Sequence, residues 1–249
     1  MRIVPVENYT TMSKAVASIL LERIKQASKL TLGLATGGTP IQTYNYLIED
    51  YKKNKTSYQH VSTFNLDEYI GLKSTDPNSY HYYMNDYLFS HIDIPKQNTN
   101  IPNGDAQNLQ QECEAFEKKI QEHGGVDIQL LGLGSNGHIG FNEPGTPFDT
   151  STHVVNLTEA TRQANARYFN SIDEVPTQAI TMGISSIMKS KEIVLLVSGE
   201  EKSKALKKLI DGEIDSSFPA SILNNHEKVT IFADREALIY TDITSTMTR

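Results

Sequence analysis

The chain has one cysteine in 249 residues, so no intramolecular disulfide can brace it. Cys113 sits in "QQECEAFEKK", which reads as a helix, and a lone thiol there points to a reducing compartment and a bystander role. Long apolar runs are missing too. Nothing approaches the roughly 18 apolar residues of a membrane span, and the opening "MRIVPVENYT" lacks the apolar stretch of a secretion signal. These absences predict a cytoplasmic protein with no membrane partner. Positive charge is also short: 23 Lys and Arg against 30 Asp and Glu leave a formal net charge of −7. A nucleic-acid surface is therefore not expected, and an anionic ligand must be held locally. Internal repeats, low-complexity tracts and a domain linker are absent as well, so 1–249 is expected to fold as one domain.

What is present reads as an α/β protein. Short apolar runs recur, "LTLGLA", "VSTFNL", "VDIQLLGL", "EIVLLV" and "KVTIFA", each followed by turn residues and usually by a helical pattern. That alternation predicts a Rossmann-like, mainly parallel sheet with helices on both faces. In "TMSKAVASILLERIKQA", Ala15, Val16, Ile19, Leu20 and Ile24 fall on one helix face, with Ser or Thr available as caps. A second amphipathic helix, "NLQQECEAFEKKIQEHGG", is closed by glycines. The stretch 144–157 reads as irregular, and 144–170 is the candidate lid region.

In open parallel sheets ligands bind beyond the carboxyl ends of the strands, so the residue types just after each apolar run decide the chemistry. In "TGGTP", Gly37 and Gly38 allow a tight turn, Pro40 suits the first helical position and Thr39 its cap. Backbone amides and a helix N-terminus converge there, either as an anion site or as an ordinary turn; the spacing and Lys of a nucleotide-triphosphate loop are missing. In "SGEEKSKAL", Lys202 falls in a first helical turn, where the helix dipole disfavours a cation unless an anion is near; a solvated lysine beside Glu200 and Glu201 is the alternative. "TRQANARYF" adds Arg162 and Arg167, suited to bidentate phosphate or carboxylate contacts, with an ordinary surface position the alternative for each taken singly. "FNLDEY" places Asp67 and Glu68 after a buried run; their side chains point in different directions, so one can face a ligand as a general base while the other packs or caps, and an Asp that only caps the following turn is the alternative.

The most ambiguous stretch is "GLGSNGHIGFNEPG". Gly132, Gly134 and Gly137 match a dinucleotide fingerprint, but Gly140, Pro144 and Gly145 forbid the helix it needs, and Glu159 lies in a helical pattern rather than after a strand. No dinucleotide cofactor is expected. What remains is a glycine-rich loop carrying Asn136, His138 and Glu143, a candidate proton-transfer group. There is no H-E-x-x-H, no cysteine pair and no close histidine pair, so no metal site is expected.

Taken together, "GLATGGTP", "FNLDEY", "GLGSNGHIGFNEP", "TRQANARYF" and "SGEEKSKAL" resemble the glucosamine-6-phosphate deaminase (isomerase) family over nearly the whole chain; the TGGT loop alone would also fit the related 6-phosphogluconolactonases. The resemblance implies a Rossmann-like fold and conversion of glucosamine 6-phosphate and water to fructose 6-phosphate and ammonia, without a cofactor. Asp67 then resembles the base that moves a proton from C2 to C1. His138 resembles the acid/base that opens the sugar ring, with Glu143 and Asn136 assisting. Gly37, Gly38, Thr39, Arg167 and Lys202 match phosphate-binding positions, and Gly137 belongs with the glycines that let backbone approach the sugar. Some family members carry Asp where Asn136 stands; an amide cannot stabilise an imidazolium as a carboxylate does, so Glu143 is expected to be the main partner of His138. Hexameric members activated by N-acetylglucosamine 6-phosphate carry basic residues after the NEP motif. Here no Lys or Arg lies between Glu143 and Arg162, and His153 and Val155 occupy those positions, so a monomer or small homo-oligomer without strong allostery is expected. The rivals are a lactonase of the same fold, which needs no base for a C2 proton, and a non-catalytic sugar-phosphate sensor, which has little use for Asp67, His138 and Glu143 together.

Overall fold

All five apolar runs become strands of one sheet. In the computed structural model, which describes residues 1–241, the chain runs β1 (Arg2–Val6), α1 (Tyr9–Gln26), β2 (Leu30–Leu34), α2 (Ile41–Asn54), β3 (Val61–Asn65), β4 (Asp67–Tyr69), α3 (Tyr80–Tyr87), β5 (Thr99–Asn100) and α4 (Leu109–Glu122). It continues through β6 (Ile128–Gly132), β7 (His153–Asn156), α5 (Glu159–Asn165), β8 (Gln178–Thr181), α6 (Ile184–Met188), β9 (Glu192–Val197), α7 (Ser203–Asp211) and β10 (Val229–Asp234). Seven strands pair in the order β1-β10-β9-β6-β2-β3-β5, and every pairing is parallel.

The strands are buried on both sides because side chains alternate and each side meets its own helices. Leu30, Leu32, Leu34, Ile128, Leu130, Val194 and Leu196 pack with Met12, Val16, Leu20 and Ile24 of α1, Leu47 of α2 and Met84 of α3. Leu131, Ile193, Leu195, Val197 and Ile231 pack on the opposite side with Phe116 and Ile120 of α4, Ile187 of α6 and Leu206 and Leu209 of α7. Cys113 is buried in α4, where burial pushes its thiol up to about 11, so it is a weak nucleophile.

Three local readings are corrected. The cap of α1 is Asn8, whose Oδ1 accepts from the Thr11 amide at 2.9 Å, rather than a Ser or Thr; the face itself stands, with the partly buried Ala15 and Ile19 packed on the same core as Val16, Leu20 and Ile24. Thr39 does not cap α2; Pro40 takes the cap position with no side-chain hydrogen bond. The stretch 144–157 is not wholly irregular, since His153–Asn156 forms β7. β7 belongs to a second, antiparallel sheet ordered β4-β8-β7, with Asp67 opposite Thr181 and His153 opposite the same residue. Strands of three or four residues carry too little alternation to be seen in the sequence. Among the described residues no helix is long and apolar enough to cross a membrane.

Candidate active site

The strand order reverses between β2 and β6: from β2 the chain builds outward to β3 and β5, then returns to place β6 on the other side of β2. Loops leaving two such strands diverge, which opens a crevice at their carboxyl ends. A cavity of about 510 Å³ lies there, lined among others by Gly37, Thr39, Asp67, His138, Arg167 and Lys202. Topology thus gathers residues from five separated stretches of sequence.

On one wall is the loop after β2. Gly37 has φ +87°, a left-handed conformation that glycine adopts without strain. Among the described residues the backbone N–H groups of Gly37, Gly38 and Thr39 donate to no acceptor. Unpaired amides ahead of the N-terminus of α2 suit an anion. Two cations face the same space. Lys202 closes the short turn Glu200–Lys202 before α7, and its Nζ lies 3.3 Å from Ser135 Oγ; burial holds the ammonium below its ordinary value, with Glu201 acting against this and Arg167 with it. Arg167 stacks over the Tyr168 ring, 4.9 Å from its centroid. Arg162 is elsewhere: it donates to the Ile172 and Val175 carbonyls and so holds the segment after α5 rather than an anion.

The paired carboxylates of "FNLDEY" divide as strand geometry requires. Glu68 turns inward, accepting from the amides of Tyr69, Tyr80 and His81 and from His81 Nδ1, at 2.8 to 3.0 Å; it caps the start of α3. Asp67 turns to the cavity, 6% exposed, and receives no hydrogen bond or ion pair among the described residues. Its Oδ2 is 3.6 Å from where a Cβ on Gly140 would stand, against the backbone after His138. Burial, reinforced by the charge of Glu68, pushes Asp67 up to about 8.

No helix follows Gly137, consistent with the exclusion of a dinucleotide loop. Gly134 lies so close beneath the His138 imidazole that a Cβ there would overlap the ring. Gly137 does not reach the cavity: its amide donates to the Gly134 carbonyl at 2.9 Å, its carbonyl accepts from Ala220, and a Cβ would overlap Phe218. Its φ of +89° shapes the turn. Glu143 is buried and fully engaged, its Oε2 taking the Asn136 carboxamide at 2.8 Å and its Oε1 the Thr161 hydroxyl. His138 Nδ1 lies 3.8 Å from Oε2, beyond hydrogen-bond range, and is buried without a partner. Asn136 Oδ1 meanwhile accepts from the His138 amide at 3.1 Å. Asn136 therefore braces both Glu143 and the histidine backbone, and it holds the carboxylate oxygen nearest the ring. Burial lowers the His138 imidazole below its ordinary 6.5, Glu143 opposing and Lys202 reinforcing, so the ring is neutral at neutral pH.

The structure thus brings Gly37, Thr39, Asp67, His138, Arg167 and Lys202 to one cavity, with Gly38 on the exposed side of its loop and Asn136 and Glu143 just behind the histidine. Thr161 and the tyrosines of the wall, including Tyr69, Tyr80, Tyr83 and Tyr168, were not singled out from the sequence. Nothing local marks them, since their role depends on which distant elements meet at the cavity. Among the described residues no group of three His, Cys, Asp or Glu side chains is arranged to hold a metal ion.

Known proteins share both sequence and shape. A family model described as glucosamine-6-phosphate isomerases/6-phosphogluconolactonase matches residues 6–232. Glucosamine-6-phosphate deaminase from Shouchella clausii is 59% identical over 242 residues, covering 97% of this chain and 98% of that one. Glucosamine-6-phosphate deaminase 1 from Bacillus subtilis is 53% identical over 237 residues, covering 95% and 98%. The solved structure of a monomeric glucosamine-6-phosphate deaminase superposes with a TM-score of 0.94 at 53% identity, covering 95% of this chain and 98% of that one. A 6-phosphogluconolactonase from Thermotoga maritima, 20% identical with a TM-score of 0.74 over 94% of this chain and 99% of its own, shares the fold. With its parallel sheet, its strand-end cavity and a match across nearly its whole length, the chain belongs to the glucosamine-6-phosphate isomerase/6-phosphogluconolactonase family.

Proposed function

We propose that this protein converts glucosamine 6-phosphate and water to fructose 6-phosphate and ammonia, in the breakdown of amino sugars. The observation that carries the reading is the convergence of two distinct acid/base groups, Asp67 and His138, on one cavity beside an amide loop and two cations. The curated relatives named above, at 53% and 59% identity, support it.

The phosphate sits against the amides of Gly37 to Thr39, with Arg167 and Lys202 supplying charge. Anchoring this remote group fixes the reacting carbons relative to both acid/base groups. The neutral His138 imidazole takes the C1 hydroxyl proton and delivers one to the ring oxygen, opening the pyranose. Glu143, held by Asn136 and Thr161, supports the imidazolium formed in passing. Asp67 then removes the C2 proton and returns it to C1, while one proton of the C2 ammonium passes to the C1 oxygen, so that C1 becomes a hydroxymethyl carbon and C2 an iminium. Water adds at C2 and ammonia leaves, so the atoms balance without a redox step.

The high value of Asp67 suits this sequence of steps. The free site keeps its proton, which avoids an unpaired buried charge. The protonated amine on C2 of the substrate favours the carboxylate on binding, so the base is generated where it is used. Lactone hydrolysis leaves the C2 proton in place and gives Asp67 no such task.

The segment 144–170, which carries the cavity-lining Arg167, serves in this reading as a lid on a single α/β domain. The protein acts in the cytoplasm as a monomer or small homo-oligomer, in keeping with the monomeric solved relative. The test is ammonia release from glucosamine 6-phosphate with and without a chelator. Release unaffected by the chelator is expected; no release overturns the reading, and loss with chelator overturns its metal-free form.

A further inference from the structure

Three tyrosine hydroxyls, from three different helices, grip the backbone of the loop after β2. Tyr44 of α2 donates to the Ala35 carbonyl at 2.5 Å, Tyr83 of α3 to the Gly37 carbonyl at 2.6 Å, and Tyr9 of α1 to the Gly38 carbonyl at 3.0 Å. They lie 29 to 46 positions from their acceptors, or nine for Tyr44, so this is tertiary rather than local bonding. The direction of the Tyr9 bond is fixed, because its oxygen also accepts from the Gln42 amide at 3.3 Å and its proton is left for Gly38.

We infer that Tyr9, Tyr44 and Tyr83 are positioning residues that aim the amides of this loop at the substrate phosphate. A trans peptide is planar, and the C=O of one residue points opposite to the N–H of the next. Holding the Ala35, Gly37 and Gly38 carbonyls against tyrosines therefore turns the N–H groups of Thr36, Gly38 and Thr39 the other way. Those three donate to no acceptor among the described residues. A glycine pair is otherwise free to flip its peptides and present carbonyls to the anion. The tyrosines remove that alternative before substrate arrives. Burial keeps Tyr44 and Tyr83 well above their ordinary value of 10, so both stay protonated donors.

The inference rests on the proposed phosphate role of this loop, and its test does not require turnover. Dissociation constants for inorganic phosphate are measured by titration calorimetry on wild type, Tyr9→Phe, Tyr83→Phe and the double variant. Tyr9 and Tyr83 are only partly buried, so these variants are expected to fold, and a thermal melt confirms it. Each hydroxyl is expected to be worth about fivefold in phosphate affinity, and the pair about twentyfold. KM for the sugar phosphate should rise by the same factors. Tyr58→Phe, which removes a buried hydroxyl near the Leu47 carbonyl and away from the cavity, should leave phosphate binding unchanged. Variants that bind phosphate within about twofold of wild type, or a wild type that binds none, overturn the inference. Absent ammonia release with intact, tyrosine-dependent phosphate binding overturns only the proposed reaction.

Discussion

Replacing Asp67 by Asn should abolish catalysis and stabilise the protein at alkaline pH, by an amount the structure sets. Burial holds Asp67 at about 8, against an ordinary 3.8 in the unfolded chain. The sign follows from proton counting. Between those values the folded state keeps a proton that the unfolded state has lost, so stability falls as pH rises and the full loss is reached above about pH 8. The part of that window from pH 5 to pH 8 spans about 3 pH units, at about 1.36 kcal/mol each, giving at most about 4 kcal/mol. Relaxation around a buried charge reduces this, so about 2 kcal/mol is a working expectation. Asn has the same shape and no titration. Urea unfolding of wild type and Asp67→Asn at pH 5 and pH 9 measures the difference, other groups cancelling between the two proteins. The variant's advantage should grow by about 2 kcal/mol from pH 5 to pH 9. An advantage that is the same at both pH values refutes the claim that Asp67 holds its proton in the free site, and an active Asp67→Asn enzyme refutes its role as the base.

Other perturbations probe the rest of the site. Thr161→Val removes the hydroxyl on Glu143 Oε1 and should lower kcat about tenfold with a smaller change in KM, moving the pH profile; an unchanged profile would show that α5 does not set the carboxylate. Glu143→Gln keeps the shape but not the charge, and an unaltered kcat on the cyclic substrate would remove Glu143 from ring opening. Gly137→Ala drives a methyl into Phe218 at a φ of +89° and should cost about 2 kcal/mol or more in urea unfolding; a neutral result would contradict the packing described. Rate against glucosamine 6-phosphate should be hyperbolic, and a sigmoidal curve straightened by N-acetylglucosamine 6-phosphate would refute the non-allosteric reading.

Much of this was legible because strand-end loops carry their chemistry locally. "TGGTP", "FNLDEY" and "GSNGH" each follow an apolar run, and an open parallel sheet has one end where ligands bind. Arg162 and Arg167 show the limit. Five positions apart in one helical stretch, they offer the same chemistry, yet Arg162 turns to the carbonyls of Ile172 and Val175 while Arg167 lines the cavity. Gly137 shows it again: its place in a glycine motif suggested contact with sugar, whereas its amide is spent on the Gly134 carbonyl.

The sequence alone determined the alternation of strands and helices and the absence of a dinucleotide helix after Gly137, because hydrophobic period and glycine or proline conformation act over a few residues; it named the candidate groups at each loop without deciding their directions. Tertiary structure decided what depends on direction. It chose Asp67 over Glu68 for the cavity, placed Asn136 between His138 and Glu143, and brought Tyr9, Tyr44 and Tyr83 onto one loop. Those outcomes turn on which way a side chain or peptide points once distant segments meet, and no local pattern encodes that.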